Sequence, residues 1–134
     1  MNEIKVFLSY KWEDRESANV LEGLLKNPNN KYQHLPEREQ EDVRNKGENA
    51  VRNYLKGIIQ DCDALICLIG NETHNATGVR YELEAAKSLS KKIVAVRIPQ
   101  TTGGSPSVLR SWGISEVKWN AKDINDKLST LKKK

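Results

Sequence analysis

Apolar positions along this chain recur at two alternating periods. Ile4-Lys5-Val6-Phe7-Leu8-Ser9-Tyr10 is rich in β-branched and apolar residues and predicts a first strand. Lys11 to Arg15 is polar, with Asp14 placed to start or cap a helix. Ala18, Leu21, Leu24 and Leu25 then follow at helical spacing, until Asn27-Pro28-Asn29-Asn30 breaks the pattern. Lys31 to Leu35 is a short strand candidate. Pro36 to Glu48 is nearly all charged or polar and reads as a surface loop, long enough to be functional. Val51, Tyr54, Leu55, Ile58 and Ile59 share a second helical face. Ala64-Leu65-Ile66-Cys67-Leu68-Ile69 is continuously apolar, so both its faces are buried, as in a central parallel strand. Gly70 to Gly78 is a polar loop, and Val79, Leu83 and Ala86 mark a third helix. Ile93 to Ile98 is a second buried strand, closed by Pro99. Thr101 to Ser107 reads as a flexible loop, Ile114 to Trp119 as a last short strand, and Ile124, Leu128 and Leu131 as the face of a final helix.

Strands thus alternate with helices five times. That order predicts an α/β, three-layer fold of flavodoxin-like type: a five-stranded parallel sheet, order 2-1-3-4-5, with helices on both faces. At 134 residues, without an internal repeat or linker, residues 1–134 are expected to form one domain, with 121–134 as a final helix and basic end.

Ligands of an open parallel sheet sit beyond the carboxyl ends of its strands, where the strand order reverses. Here that point falls between strands one and three. Ser9 to Asp14 and Gly70 to Gly78 border it, and the charged loop from Pro36 hangs off the same side. The chemistry on offer there is restricted. The chain has neither a Walker A sequence nor a GxGxxG, so a phosphate-cradling nucleotide site has no support. Its two histidines, His34 and His74, enter no Ser-His-Asp arrangement and no metal-ligand spacing, although His74 could hydrogen-bond a ligand from the strand-three loop. A phosphoacceptor receiver would need an aspartate at the end of strand three, where this chain reads Leu68-Ile69-Gly70-Asn71; Asp61 and Asp63 lie at the opposite end.

Composition narrows the field further. Hydrophobic residues make up 37% and charged residues 30%, ordinary for a globular protein. The net charge of +4 invites a nucleic-acid reading, but residues 121–134 hold +3 of it, and the remaining 120 residues carry only +1. A solvated basic tail is the better reading, because a nucleic-acid surface needs cations and aromatics gathered along one groove. Cys62 and Cys67 lie on or beside one apolar strand, without CxxC or His spacing, and read as small buried side chains. With no apolar run of the roughly 20 residues a membrane helix needs, and no basic segment leading into a long apolar one, a reducing, cytoplasmic location is expected.

One carboxylate remains well placed. At about 100° per residue, Glu82 falls beside the apolar face set by Val79, Leu83 and Ala86, whereas Glu84 falls on the solvent side. In or near the first turn of its helix, Glu82 would be favoured as an anion by the helix dipole. A fixed anion in an apolar-edged cleft can stabilise a developing cation. Spacing alone also allows a simple helix-terminal acid.

Three segments carry a family resemblance. Val6-Phe7-Leu8-Ser9-Tyr10, followed by Asp14, resembles the opening strand and loop of TIR domains. Leu68-Ile69-Gly70-Asn71-Glu72-Thr73 is similar to the strand-three ending of the TIR-like proteins of the Thoeris anti-phage system. Gly78-Val79-Arg80-Tyr81-Glu82-Leu83 resembles their Trp-Val-Arg-Tyr-Glu signature, with Gly78 in place of the tryptophan, and Lys92-Ile93-Val94-Ala95-Val96 continues the match. The resemblance covers roughly residues 4 to 98.

The resemblance implies an enzyme that cleaves nicotinamide from NAD+ and turns the ADP-ribose into a cyclic or conjugated signal for a downstream effector, in bacterial anti-phage defence. Glu82 would be catalytic. NAD+ would be substrate, with no cofactor or metal, no nucleic acid or membrane partner, and self-association open. Ser9 and Tyr10 would hydrogen-bond or stack on the ligand, Trp12 would wall the site or merely pack, and Asn71 and Thr73 would contact ribose or phosphate. Arg80 could attract phosphate. The rival readings are a non-catalytic TIR-like adaptor and an enzyme resembling nucleoside deoxyribosyltransferases.

Overall fold

The computed structural model describes residues 4–25, 30–33 and 46–129. Its strands are β1 (Ile4–Ser9), β2 (Asn30–Gln33), β3 (Ala64–Ile69), β4 (Lys92–Arg97) and the two-residue β5 (Glu116–Val117). Its helices are α1 (Arg15–Leu24), α2 (Glu48–Gln60), α3 (Thr77–Ser88), the five-residue α4 (Ser107–Ser111) and α5 (Ala121–Ser129). All strand pairs are parallel, in the order β2-β1-β3-β4-β5. Parallel strands need crossovers, and α1, α2, α3 and α4 supply them.

Side-chain alternation sorts the core into two layers. Val6, Leu8, Ile66, Leu68, Val94 and Val96 pack against Ala18 and Leu21 of α1 and Ile124 and Leu128 of α5. Phe7, Leu65, Cys67, Ile69, Ile93 and Ala95 pack against Val51, Leu55 and Ile59 of α2, Val79, Leu83 and Ala86 of α3, and Leu109 of α4. All six residues of β3 are buried, because a central strand is covered on both faces. At about 1.5–3 kcal/mol for each fully buried aliphatic side chain, these layers hold the fold together.

Several boundaries differ from the sequence reading. β1 stops at Ser9, leaving Tyr10 beyond it. The last strand keeps only Glu116–Val117 of the expected Ile114 to Trp119, so the sheet is four strands of four to six residues with a minimal fifth at its edge. Leu24, given to the buried face of α1 by spacing, is 44% exposed; Ala18, Leu21 and Leu25 are buried. The 101–107 segment is pinned. Thr101 Oγ1 donates to the Ile98 carbonyl at 2.6 Å, and Arg97 Nη1 donates to the Gly103 carbonyl at 2.6 Å. Arg97 grips Glu116 with its other two donors, Nε at 3.0 Å and Nη2 at 2.6 Å. The pairing of Arg97 with Glu116, nineteen residues on, has no local signature in the sequence. His34, Leu131 and most of the loop from Pro36 lie outside the described residues. Among the described residues, no helix is long and apolar enough to cross a membrane.

Candidate active site

The site begins with the parity of β1. Ser9 shares the face of Phe7, toward α3, and its register partner on β3 is Cys67, on the same face. Glu82, in α3, reaches this point. Val79, Leu83 and Ala86 anchor the helix on the sheet, and Glu82 lies beside them, turned inward. Ser9 Oγ donates a 2.7 Å hydrogen bond to Glu82 Oε1, across 73 residues of chain. Ser9 is 0% and Glu82 2% exposed. A carboxylate so deeply placed is costly unless it is hydrogen-bonded, and a hydroxyl donor gives it a charge-assisted bond of fixed direction.

Glu82 is the sixth residue of α3, in its second turn. The helix dipole, expected to favour its charge, acts mainly within the first turn; the nearer local support is the Ser9 hydroxyl. Two neighbours feel its negative charge. Burial pushes the Cys67 thiol up, and Glu82 adds to that. Burial also raises the Tyr10 phenol, with Glu82 and then Glu22 contributing and Arg15 opposing. Both groups therefore stay protonated beside Glu82. Cys62 and Cys67 are free and buried. Among the described residues no His, Cys, Asp and Glu cluster could hold a metal ion.

The other expected binding residues occupy varied positions. Tyr10 is half-buried and packs toward the α1/α5 layer, adjoining the site from above β1. Trp12 opens a short 3₁₀ turn, Trp12–Asp14, and its side chain lies outside the described residues. Thr73 is 1% exposed, and its hydroxyl is committed to the loop: it accepts from the Gly70 N–H at 2.8 Å and donates to the Leu68 carbonyl at 3.3 Å. Asn71 is exposed and accepts the Thr102 N–H at 2.9 Å, tying the loop after β3 to the loop after β4. That junction also needs Gly103, where any Cβ would run into the Asn71 backbone. His74 is exposed in the 3₁₀ turn Thr73–Asn75, beside Gly104. The structure therefore brings Ser9 and Glu82 together and sets Tyr10 next to them, and it commits Thr73 and Asn71 to fixing the loop after β3.

Glu84 faces outward, as spacing predicts, and pairs with Arg52 at 2.7 Å and Arg80 at 3.9 Å. Both arginines also lie over the Tyr81 ring, at 4.7 and 5.5 Å. Arg80 is thus part of an α2/α3 surface network, beside a cavity of about 370 Å³ lined by Arg52, Lys56, Tyr81 and Ser88.

The sequence reading gave Asp14 a place at the start or cap of α1 and in the TIR resemblance, but no role in the site. In the structure Asp14 lies against Gly70, where an added Cβ would meet Asp14 Oδ2 at 2.5 Å. The pairing of an acidic residue after β1 with a glycine after β3 was visible in the sequence, but nothing in their spacing announced the contact.

Comparison with known proteins bears on this arrangement. The family model described as "Thoeris protein ThsB, TIR-like domain" matches residues 7–103. Among solved structures, the Clostridium botulinum CMP N-glycosidase BcmB aligns with a TM-score of 0.55 and 18% identity, over 93% of this chain and 98% of that one. At that identity the likeness is one of fold. Comparison with curated proteins finds no match.

Proposed function

The chain belongs to the TIR-like domain family of the Thoeris protein ThsB, and from that premise we propose that it cleaves the N-glycosidic bond of a nucleotide, with NAD+ as substrate and Glu82 as the catalytic carboxylate. The observation that carries this reading is the buried Ser9–Glu82 pair at the end of β1. An ionisable side chain 2% exposed is a poor choice for stability alone. It is a good choice for chemistry that builds positive charge. As the C1′–N bond breaks, the sugar takes on oxocarbenium character, and an anion fixed beforehand in a dry site stabilises that charge without reorganising. Nicotinamide departs as a neutral base, so its release asks for no strong general acid.

Tyr10 and Trp12 would flank the ligand, with Asn71 and His74 at the rim. Thr73 would act through the loop it closes. The family reading extends to the product: an ADP-ribose-derived signal, cyclic or conjugated, sensed by an effector in anti-phage defence within the cytoplasm. A CMP N-glycosidase among the structural neighbours supports a pyrimidine nucleotide as the second substrate to test.

The test is base release from NAD+ and from CMP, with product mass, for wild type and Glu82→Gln. It is run on purified chain and on lysates of infected and uninfected expressing cells. Release by wild type but not by the variant is expected, and the substrate cleaved and product mass name the reaction. No release from either nucleotide under any of these conditions would overturn the enzyme reading in favour of a TIR-like adaptor.

A further inference from the structure

Asp14 stands directly before α1, at the position that normally caps a helix, yet its side chain makes no capping hydrogen bond. Its backbone N–H donates to the Lys11 carbonyl at 2.7 Å, but among the described residues its carboxylate has no hydrogen bond or ion pair. It is half-buried, and it lies over Gly70, the first residue beyond β3. The lack of a side chain at Gly70 makes the space that the carboxylate fills.

The position matters as much as the missing partners. α1 packs on one face of the sheet and α3 on the other. Asp14 therefore arrives over the carboxyl end of the sheet from the α1 side, and Glu82 from the α3 side. Ser9, which holds Glu82, is in register with Cys67, and Gly70 lies three residues further along that strand. Three extended residues span at most roughly 10 Å. Both carboxylates therefore belong to the carboxyl end of the same strand pair, on opposite sides of the place where a sugar and an attacking oxygen would sit.

We propose that Asp14 is a second catalytic carboxylate, the base that takes the proton from the acceptor hydroxyl attacking C1′. This rests on the N-glycosidase reading above. In the step, the C1′–N bond breaks and its electron pair leaves with the nicotinamide nitrogen. A new C1′–O bond forms to the acceptor oxygen, of water or of a sugar hydroxyl. The acceptor's proton passes to Asp14, which becomes a neutral acid and later returns the proton to solvent.

The two carboxylates differ as this division of labour requires. Glu82 is deep and clamped by a hydroxyl; Asp14 is nearer solvent and free to exchange protons. Burial raises the Asp14 carboxyl, Glu13 adds to that and Lys11 opposes it, so the group is a better base than an ordinary aspartate.

The experiment uses NAD+ with wild type, Asp14→Ala, Asp14→Asn and Glu82→Gln, with and without sodium azide, a nucleophile that needs no base. Circular dichroism melting reports folding. Both Asp14 variants should stay folded and lose base release by about a hundredfold, the usual worth of a general base. Azide should restore release in Asp14→Ala, with a sugar azide as product, and should not rescue Glu82→Gln. Two results overturn the assignment: release within threefold of wild type in both Asp14 variants, or loss in the folded variants that azide does not relieve. A wild-type chain that cleaves nothing overturns the N-glycosidase reading, and this assignment with it, a result distinct from either.

Discussion

On the α1/α5 side of the sheet, Val6, Leu8, Ile66, Leu68, Val94 and Val96 meet apolar helical residues. On the α2/α3 side the same alternation runs through Phe7, Leu65 and Ile69, then delivers Ser9 to a buried glutamate at the last position of β1. Two layers made by one period-2 pattern therefore serve different ends. The first gains stability from every residue it buries. The second gives up part of that gain at its carboxyl end, where Ser9 and Cys67 surround Glu82 in place of aliphatic side chains. A carboxylate buried in one layer, at one end of the strands, is the feature on which the proposed function rests.

The comparison can be broken or sharpened by substitution. Ile124→Ala, in the dry layer, should cost about 3 kcal/mol in urea unfolding and leave activity per folded molecule unchanged; a loss of activity would show that the layers are not separable. Ser9→Ala should cost about 1–2 kcal/mol, since it removes a buried charge-assisted donor, and should lower base release about tenfold. A stability unchanged by Ser9→Ala would mean that Glu82 does not depend on that hydroxyl. Gly103→Ala drives a methyl group into the Asn71 backbone and should cost about 1 kcal/mol or more. Limited proteolysis should register the damage in the loops after β3 and β4. Glu116→Gln weakens a partly exposed ion pair with Arg97 and should cost well under 1 kcal/mol in the same unfolding assay.

What the sequence made legible follows from the range of each interaction. β3 and β4 announced themselves because burial on both faces leaves an unbroken apolar run. α2 and α3 did so because five and three apolar residues repeat at helical spacing. The same arithmetic turned Glu82 inward and Glu84 outward. Periodicity failed where few residues carry it. Leu24 fits the α1 stripe by spacing but lies at the helix end, where its side chain reaches solvent. β5 keeps only Glu116 and Val117, paired with Ala95 and Val96 at the sheet edge, too short a run for period-2 alternation to mark its bounds. The roles of Thr73 and Asn71 were hidden because each bonds to backbone, Thr73 three and five residues away and Asn71 thirty-one. The contact of Asp14 with Gly70 depends on how two loops meet, and no local pattern encodes that. The inward turn of Glu82 was thus readable from helix geometry, and the contacts of the loops near it only from the folded chain.

The central claim is that Glu82 is retained for chemistry and not for the fold. It is tested most directly by measuring melting temperature and base release on the same preparations of wild type and Glu82→Gln. The account predicts a variant that melts at the same temperature or higher, having lost a buried charge, and releases base at least about a thousandfold more slowly. A variant that melts lower yet cleaves as fast as wild type would contradict it and make Glu82 a structural acid.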